Sequence, residues 1–451
     1  MTDLAERPAI RTVPDIRVPL PGPKARKHVA FDHEFTSPSL PRAYPLVPVR
    51  GTGSTVEDID GNLLLDFTAG IAVSSTGYNH PRITAAVERQ ARDLIHFSAS
   101  DFYLPVYAEL AAKLAQISPI KGPARTFIGN SGAEAIEAAI KLARFATGRQ
   151  YLVGFLGGFH GRTYGAVTLT ASKAKYHAGF GPLLPGVYHV PFGSAGLDEL
   201  EQRVFKRLIP ANEVAAIVVE PIQGEGGYVI PDDAFFPRLR KICDDNGILL
   251  IADEVQSGAG RTGKMWAIDH WGVQPDMVAT AKGIASGMPL GAVIARADLM
   301  SWSKGHHGST FGGNAVSCAV ALETIKLLEE SLIDNAGARG EQALAGLRPL
   351  TMQYPALVKD VRGKGLMIGL EFDNGETAEA VQWACFVRGL LVLEAGENVV
   401  RLCPPLVVTA DEIDTCVRIL GEAVATVAKA PKSTYDESRR WMSIDDGEVD
   451  G

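Results

Sequence analysis

No stretch of this sequence approaches the ~20 consecutive apolar residues that a membrane helix needs. The opening run MTDLAERPAIRTVPDIRVPLPGPKARK carries charges and prolines where a signal peptide needs an apolar core. A cytoplasmic location is therefore expected. Cysteine is scarce and unpaired: Cys243, Cys318, Cys385, Cys403 and Cys416 are odd in number, widely scattered and form no CxxC. That argues against a disulfide framework and against a metal site, so the five read as reduced, mostly buried thiols and no metal is expected. No long Lys/Arg block occurs, and the formal net charge of -8 is mild for 451 residues. Neither nucleic acid nor a membrane is expected as a partner.

With 46% hydrophobic and 21% charged residues the chain reads as globular. Its length asks for a large domain plus a smaller one. No internal repeat occurs, but one unit recurs: a short apolar run, a Gly-containing turn, then a segment of helical period. RTFIG (125–129) enters the turn NSG and the helix AEAIEAAIKLARFA. AAIVVEP (215–221) and GILLIADEV (247–255) are separated by a helix with Phe235, Leu239 and Ile242 on one face. PDMVATAK (275–282) is followed by GIASGMPLG, and the helix GNAVSCAVALETIKLLEES closes the large domain. This alternation predicts an α/β fold with a mostly parallel sheet and crossover helices. The expected division is a tail over 1–25, a segment 26–75 packing with the small domain, a large domain over 76–335, a small α+β domain over 336–427 and a tail over 428–451. VRGKGLMIGLEF is expected to be one strand of the small domain.

In parallel sheets the chemistry collects at the carboxyl ends of strands. Asp253 closes LLIAD and Lys282 closes MVATAK, and both are costly to bury without a partner. Alone, each has an ordinary explanation, a turn cap and a side chain reaching solvent. Jointly they matter because Asn130-Ser131-Gly132 leads a strand into a helix. There the Ser131 hydroxyl and the N–H groups near Gly132 and Ala133 would face an anion at the positive end of the helix dipole; a plain N-cap by Ser131 is the ordinary alternative. Gly258, Gly260 and Gly263 spell GxGxxG directly after LLIADEV. A dinucleotide fingerprint needs a helix opening within the glycines, and RTGKMWAIDHWG has weak helical pattern, so that reading is rejected.

Seven motifs in order, LDFTAGIAV, GNSGAEAIEAAIKLAR, GGFHGRT, EPIQGEGG, LLIADEVQSGAGRTG, ATAKGIASGMPLGAV and STFGGN, resemble the class III aminotransferases, pyridoxal-phosphate enzymes of fold type I. The resemblance spans about residues 28 to 425 and is strongest to the 4-aminobutyrate branch, with the ornithine and acetylornithine branches close. It implies that Lys282 holds the cofactor and shuttles the proton, and that Asp253 pairs with the pyridine nitrogen. It implies that Ser131, Gly132 and Ala133 bind the phosphate with Thr310 of the neighbouring subunit. His160 and Val255 would sandwich the ring beside Phe159, and Gln256 would meet the phenolic oxygen. For substrates it implies Arg162 for an ω-carboxylate, Arg401 for the α-carboxylate of 2-oxoglutarate, Glu225 as the carboxylate that neutralises Arg401, Glu220 in support and Ile71 lining the pocket.

The implied activity is ping-pong transfer of the amino group of 4-aminobutyrate or an ornithine-like ω-amino acid to 2-oxoglutarate, giving a semialdehyde and glutamate. A homodimer with shared sites, or a dimer of dimers, is implied as well. LPGPKARK and SPSLPRAYPLV resemble a branch that includes broad-specificity ω-transaminases and some amino-acid racemases. Racemisation on the same scaffold is therefore the alternative. A cofactor-binding relic is disfavoured, since Lys282, Asp253 and the phosphate turn are all present.

Overall fold

The structure, a computed structural model, describes residues 12–429. Fifteen strands form three sheets among these residues. The N-terminal hairpin strands are β1 (Pro48–Thr52), β2 (Thr55–Asp58) and β3 (Leu63–Asp66). The central sheet is built from β4 (Ala124–Gly129), β5 (Tyr151–Phe155), β6 (Val187–Val190), β7 (Val214–Val219), β8 (Leu249–Asp253), β9 (Met277–Thr280) and β10 (Gly291–Arg296). The remaining strands are β11 (Val358–Lys364), β12 (Met367–Phe372), β13 (Leu390–Leu391), β14 (Leu393–Ala395) and β15 (Val399–Leu402).

The central order is β4-β10-β9-β8-β7-β5-β6. Only β10 runs against its neighbours, so the carboxyl ends of β4, β5, β7, β8 and β9 share one edge. All six residues of β7 are buried, the continuous apolar run that a parallel strand covered by helices on both faces requires. Helix Gly132–Thr147 lies on the sheet through Ala135, Ile136, Ala139 and Ala143. Helix Phe235–Asn246 buries Phe235, Leu239 and Ile242, as its period predicts.

Three expectations change. Of the N-terminal tail, residues 12–22 are docked: Asp15 exchanges main-chain bonds with Leu63 at 2.9 and 3.0 Å, and Asn62 Oδ1 accepts from the N–H of Arg17 and Val18. A helix starts at Pro23. Backbone pairing leaves no apolar period to read, which is why this stretch looked like a tail. Residues 1–11, and the C-terminal tail beyond Lys429, lie outside the described residues.

Second, VRGKGLMIGLEF is a hairpin, β11 and β12, turning at Gly365 with φ +51. Third, the border at 335/336 falls inside unbroken helix. Ala315–Leu327 continues through a wider turn at Leu328–Leu332 into Ile333–Leu347. The N-terminal sheet does join the C-terminal part, because β13 pairs parallel with β3. All five cysteines are free and buried, and no helix among the described residues is long and apolar enough to cross a membrane.

Candidate active site

Five connections at the carboxyl edge of the central sheet converge on a cavity of about 300 Å³. Ser131, Gly132, Ala133, Phe159, His160, Glu220, Asp253, Val255, Gln256 and Lys282 all line it.

After β4, Ser131 is the N-cap of helix Gly132–Thr147, and its Oγ accepts the Glu134 N–H at 3.2 Å. Glu134 reaches back to the Asn130 N–H at 2.6 Å. The N-cap reading and the anion reading coexist, because a hydroxyl that accepts this bond still has its own proton to donate. A Cβ on Gly132 would lie 2.8 Å from Val255 Cγ1, so only glycine lets the turn approach the loop after β8.

Asp253 ends β8 and is buried. Its Oδ2 lies 2.7 Å from His160 Nδ1, and its Oδ1 accepts the Val255 N–H at 3.0 Å. Burial alone would lower the His160 pKa; the hydrogen bond and charge of Asp253, helped by Glu220, raise it instead. Glu220 follows β7, and its carboxylate accepts the N–H groups of Phe159 (2.9 Å) and Gly224 (3.0 Å). Burial, the largest influence, pushes its pKa up to about 7.

Lys282 opens a one-turn helix after β9 with φ +47, a left-handed conformation that costs about 1–3 kcal/mol. Burial lowers its pKa against the opposing pull of Glu225, and Arg401 lowers it further. Beside it, Arg401 of β15 is buried and pairs through Nη1 with Glu225 Oε1, while its Nε is buried without a hydrogen bond. Burial would raise Glu225, but the charge and hydrogen bond of Arg401 hold it below the ordinary carboxylate range.

Ile71, Arg162, Glu225, Arg401 and Thr310 are not part of the cavity lining. Arg162 is exposed, its guanidinium 5.1 Å from the Tyr176 ring and 6.0 Å from that of Phe159. Ile71 is exposed on a left-handed turn spanning Ala69–Ala72. Thr310 is exposed next to Ser309, whose Oγ accepts from Asn130 Nδ2 at 3.0 Å. The lining also includes Asn130 of the NSG turn, and Val73, Met288, Pro289 and Leu290, which the sequence does not single out. Val73 closes the motif LDFTAGIAV and the other three lie in the Gly-rich loop after Lys282, so adjacency to the motifs was the available signal.

These residues fit pyridoxal phosphate. A helix N-terminus with a free hydroxyl proton suits its phosphate and a strand-end carboxylate its ring nitrogen. Lys282 suits its aldehyde, and the buried Gln256, which lines the cavity and carries amide N–H groups to donate, suits its phenolic oxygen. The fold and the site define a pyridoxal-phosphate enzyme of fold type I, with that cofactor. The family described as Aminotransferase class-III matches residues 38–424, and the chain belongs to it.

An acetylornithine aminotransferase from Synechocystis is 43% identical, covering 85% of this chain and 90% of that protein. An alanine/serine racemase from Pyrococcus horikoshii is 37% identical, covering 91% and 92%. Among solved structures, the ornithine aminotransferase of Toxoplasma gondii superposes with a TM-score of 0.83 at 32% identity, covering 90% of this chain and 96% of that one. A PLP-bound amine transaminase from an uncultivated Pseudomonas species does so with 0.80 at 32%, covering 87% and 98%.

Proposed function

We propose that this enzyme moves the terminal amino group of an ω-amino acid to 2-oxoglutarate in two half-reactions, with ornithine-type donors ahead of 4-aminobutyrate. The names of the relatives support that ranking. 4-Aminobutyrate, the donor suggested by the motifs, presents the same amine-and-carboxylate pattern. The observation that carries the proposal is the pairing of buried Arg401 with partly buried Glu225 beside Lys282. Such an enzyme must accommodate a dicarboxylate in one half-reaction and an ω-amine in the other. A cation neutralised by its own chain shows no bare charge to the first substrate, and it can exchange Glu225 for the α-carboxylate of the second.

Bound pyridoxal phosphate supplies an aldehyde and an electron-accepting ring. Lys282 Nζ would hold it between turnovers and, once freed by the donor, would be the base that moves the proton at the amine-bearing carbon. A lowered pKa keeps more of this amine neutral and ready to act as a base. Asp253 keeps the ring nitrogen protonated, and His160 steadies that carboxylate through Oδ2. Ser131, Gly132 and Ala133 take the phosphate, joined by the partner subunit's Thr310. His160 and Val255 enclose the ring beside Phe159, and Gln256 donates to the phenolic oxygen. Arg162 meets the donor's far carboxylate, Ile71 lines the mouth, and Glu220 fixes the Phe159 and Gly224 loops. A homodimer is supported by the exposure of Thr310 beside the exposed Ile95, Phe97, Phe102, Tyr103 and Phe311.

Mixing cofactor-loaded enzyme with single donors and no acceptor tests this. Ornithine-type donors should convert the cofactor to its amine form, read by absorbance, and 2-oxoglutarate should reverse the change. Failure of every ω-amino donor would sink the proposal. Racemisation is a second reading, favoured by the racemase relative covering 91% of this chain against 85% for the acetylornithine enzyme. It requires that L-alanine or L-serine lose optical rotation with no 2-oxo acid present.

A further inference from the structure

The glycine-rich run Gly258–Gly263 carries at its centre a side chain that the reaction scheme leaves unused. Arg261 is 2% exposed and does not line the cavity. A buried guanidinium is costly unless its donors are satisfied. Here one of them is: Nη1 donates to the main-chain carbonyls of Leu366 at 3.2 Å and of Pro404, while Nη2 is buried without a hydrogen bond. The Arg261 carbonyl in turn accepts the Leu366 N–H at 2.9 Å.

The surrounding packing is tight enough to transmit position. A Cβ on Gly365 would lie 2.5 Å from the Thr262 carbonyl carbon, and one on Gly340 would lie 2.2 Å from Gly365 O. Pro404 stands three residues after Arg401, and Arg261 stands eight residues after Asp253. The opposite side of the 403–406 segment is held by Cys403 N–H to Phe67 O and Leu406 N–H to Ser75 O, both 2.8 Å. The Arg261 clamp therefore links the loop bearing Asp253, Val255 and Gln256 to the segment bearing Arg401.

We propose that Arg261 is a positioning residue for the acceptor: by gripping Pro404 O and Leu366 O it sets where Arg401 stands relative to Lys282, and so controls dicarboxylate binding without acting in amine donation. This rests on the reading of Arg401 as the carboxylate site.

The test titrates glutarate, a dicarboxylate without a reactive carbonyl, into cofactor-loaded wild type, Arg261→Lys, Arg261→Met and Arg401→Ala. The single-turnover rate with an ω-amino donor is measured alongside. In Arg261→Met the glutarate Kd and the 2-oxoglutarate KM should rise about tenfold, the equivalent of about 1.4 kcal/mol, while the donor rate stays within about twofold. Arg261→Lys should show a smaller loss of the same kind, since an ammonium keeps the charge but not the planar fork. Should the methionine variant fail to fold, the lysine variant decides alone. Equal losses in both half-reactions, or unchanged glutarate binding, would overturn the proposal. If Arg401→Ala also binds glutarate normally, the Arg401 reading itself fails. If only Arg401→Ala loses glutarate, Arg401 stands and the clamp falls.

Discussion

Next to Asp253 in the sequence lies a second buried carboxylate with a structural task. Glu254 is buried, with Oε1 accepting the Ile268 N–H at 2.8 Å and Oε2 the Ser257 hydroxyl at 2.7 Å. Burial pushes its pKa up to about 7. A carboxyl whose pKa is raised in the fold keeps a proton that the unfolded chain releases. Its stabilisation is complete below the ordinary carboxylate range and is lost as pH rises through about 7. Glu254→Gln keeps one acceptor for the Ile268 N–H, turns an N–H towards the Ser257 oxygen, which can accept it, and has nothing to titrate. Its stability relative to wild type should therefore grow between pH 5 and pH 8, by up to about 3 kcal/mol at about 1.4 kcal/mol per unit. Denaturant midpoints at several pH values check this; parallel curves would refute it.

Asp253 was legible as a residue needing a partner, but His160 as that partner was not. The two are 93 positions apart, and their contact depends on how β5 and β8 sit in the sheet. Glu225 and Arg401 likewise acquired roles only through resemblance. A loop carboxylate and a strand arginine 176 positions apart carry no local pattern.

Among the elements, the turn between β4 and its helix joins stability to binding. Ser131 both caps the helix and lines the cavity, with a hydroxyl proton left to donate. Ser131→Ala should cost about 1 kcal/mol of stability, as N-cap losses do, and should also weaken cofactor affinity. Thermal unfolding with a cofactor titration separates the two effects, and an unchanged cofactor Kd would remove Ser131 from the phosphate site.

The strand–turn–helix units at β4, β7, β8 and β9 could be read because apolar runs, glycine turns and helical period agree there. β10 escaped assignment because GAVIAR follows directly on a Gly-rich loop, so no boundary marks its start. The hairpin of β11 and β12 was read as one strand because a two-residue turn at Gly365-Leu366 scarcely interrupts the apolar pattern.

At the scale of the whole molecule, the exposed aromatic segment and Thr310 lie close together: the Phe97 and Phe102 rings pack at a tilt with centroids 4.5 Å apart, and the His96 ring lies 5.1 Å from that of Phe311. If this face completes a homodimer, Phe311→Asp should shift the protein towards monomer in sedimentation and lower cofactor affinity with it. A variant that stays dimeric with unchanged affinity would place the interface elsewhere. The shift in composition after the central sheet marks where the C-terminal strands and helices begin. The border itself was not legible, since the connecting helix keeps its period straight through residues 315–347.

All of this depends on Lys282 being the amine that holds the cofactor. Borohydride reduction of the loaded enzyme, followed by peptide mass mapping, tests that directly, because reduction locks pyridoxal phosphate onto whichever amine carries it. The modification should fall on the peptide containing Lys282 and vanish in Lys282→Ala. Labelling of a different lysine, or none in a loaded protein, would contradict the account.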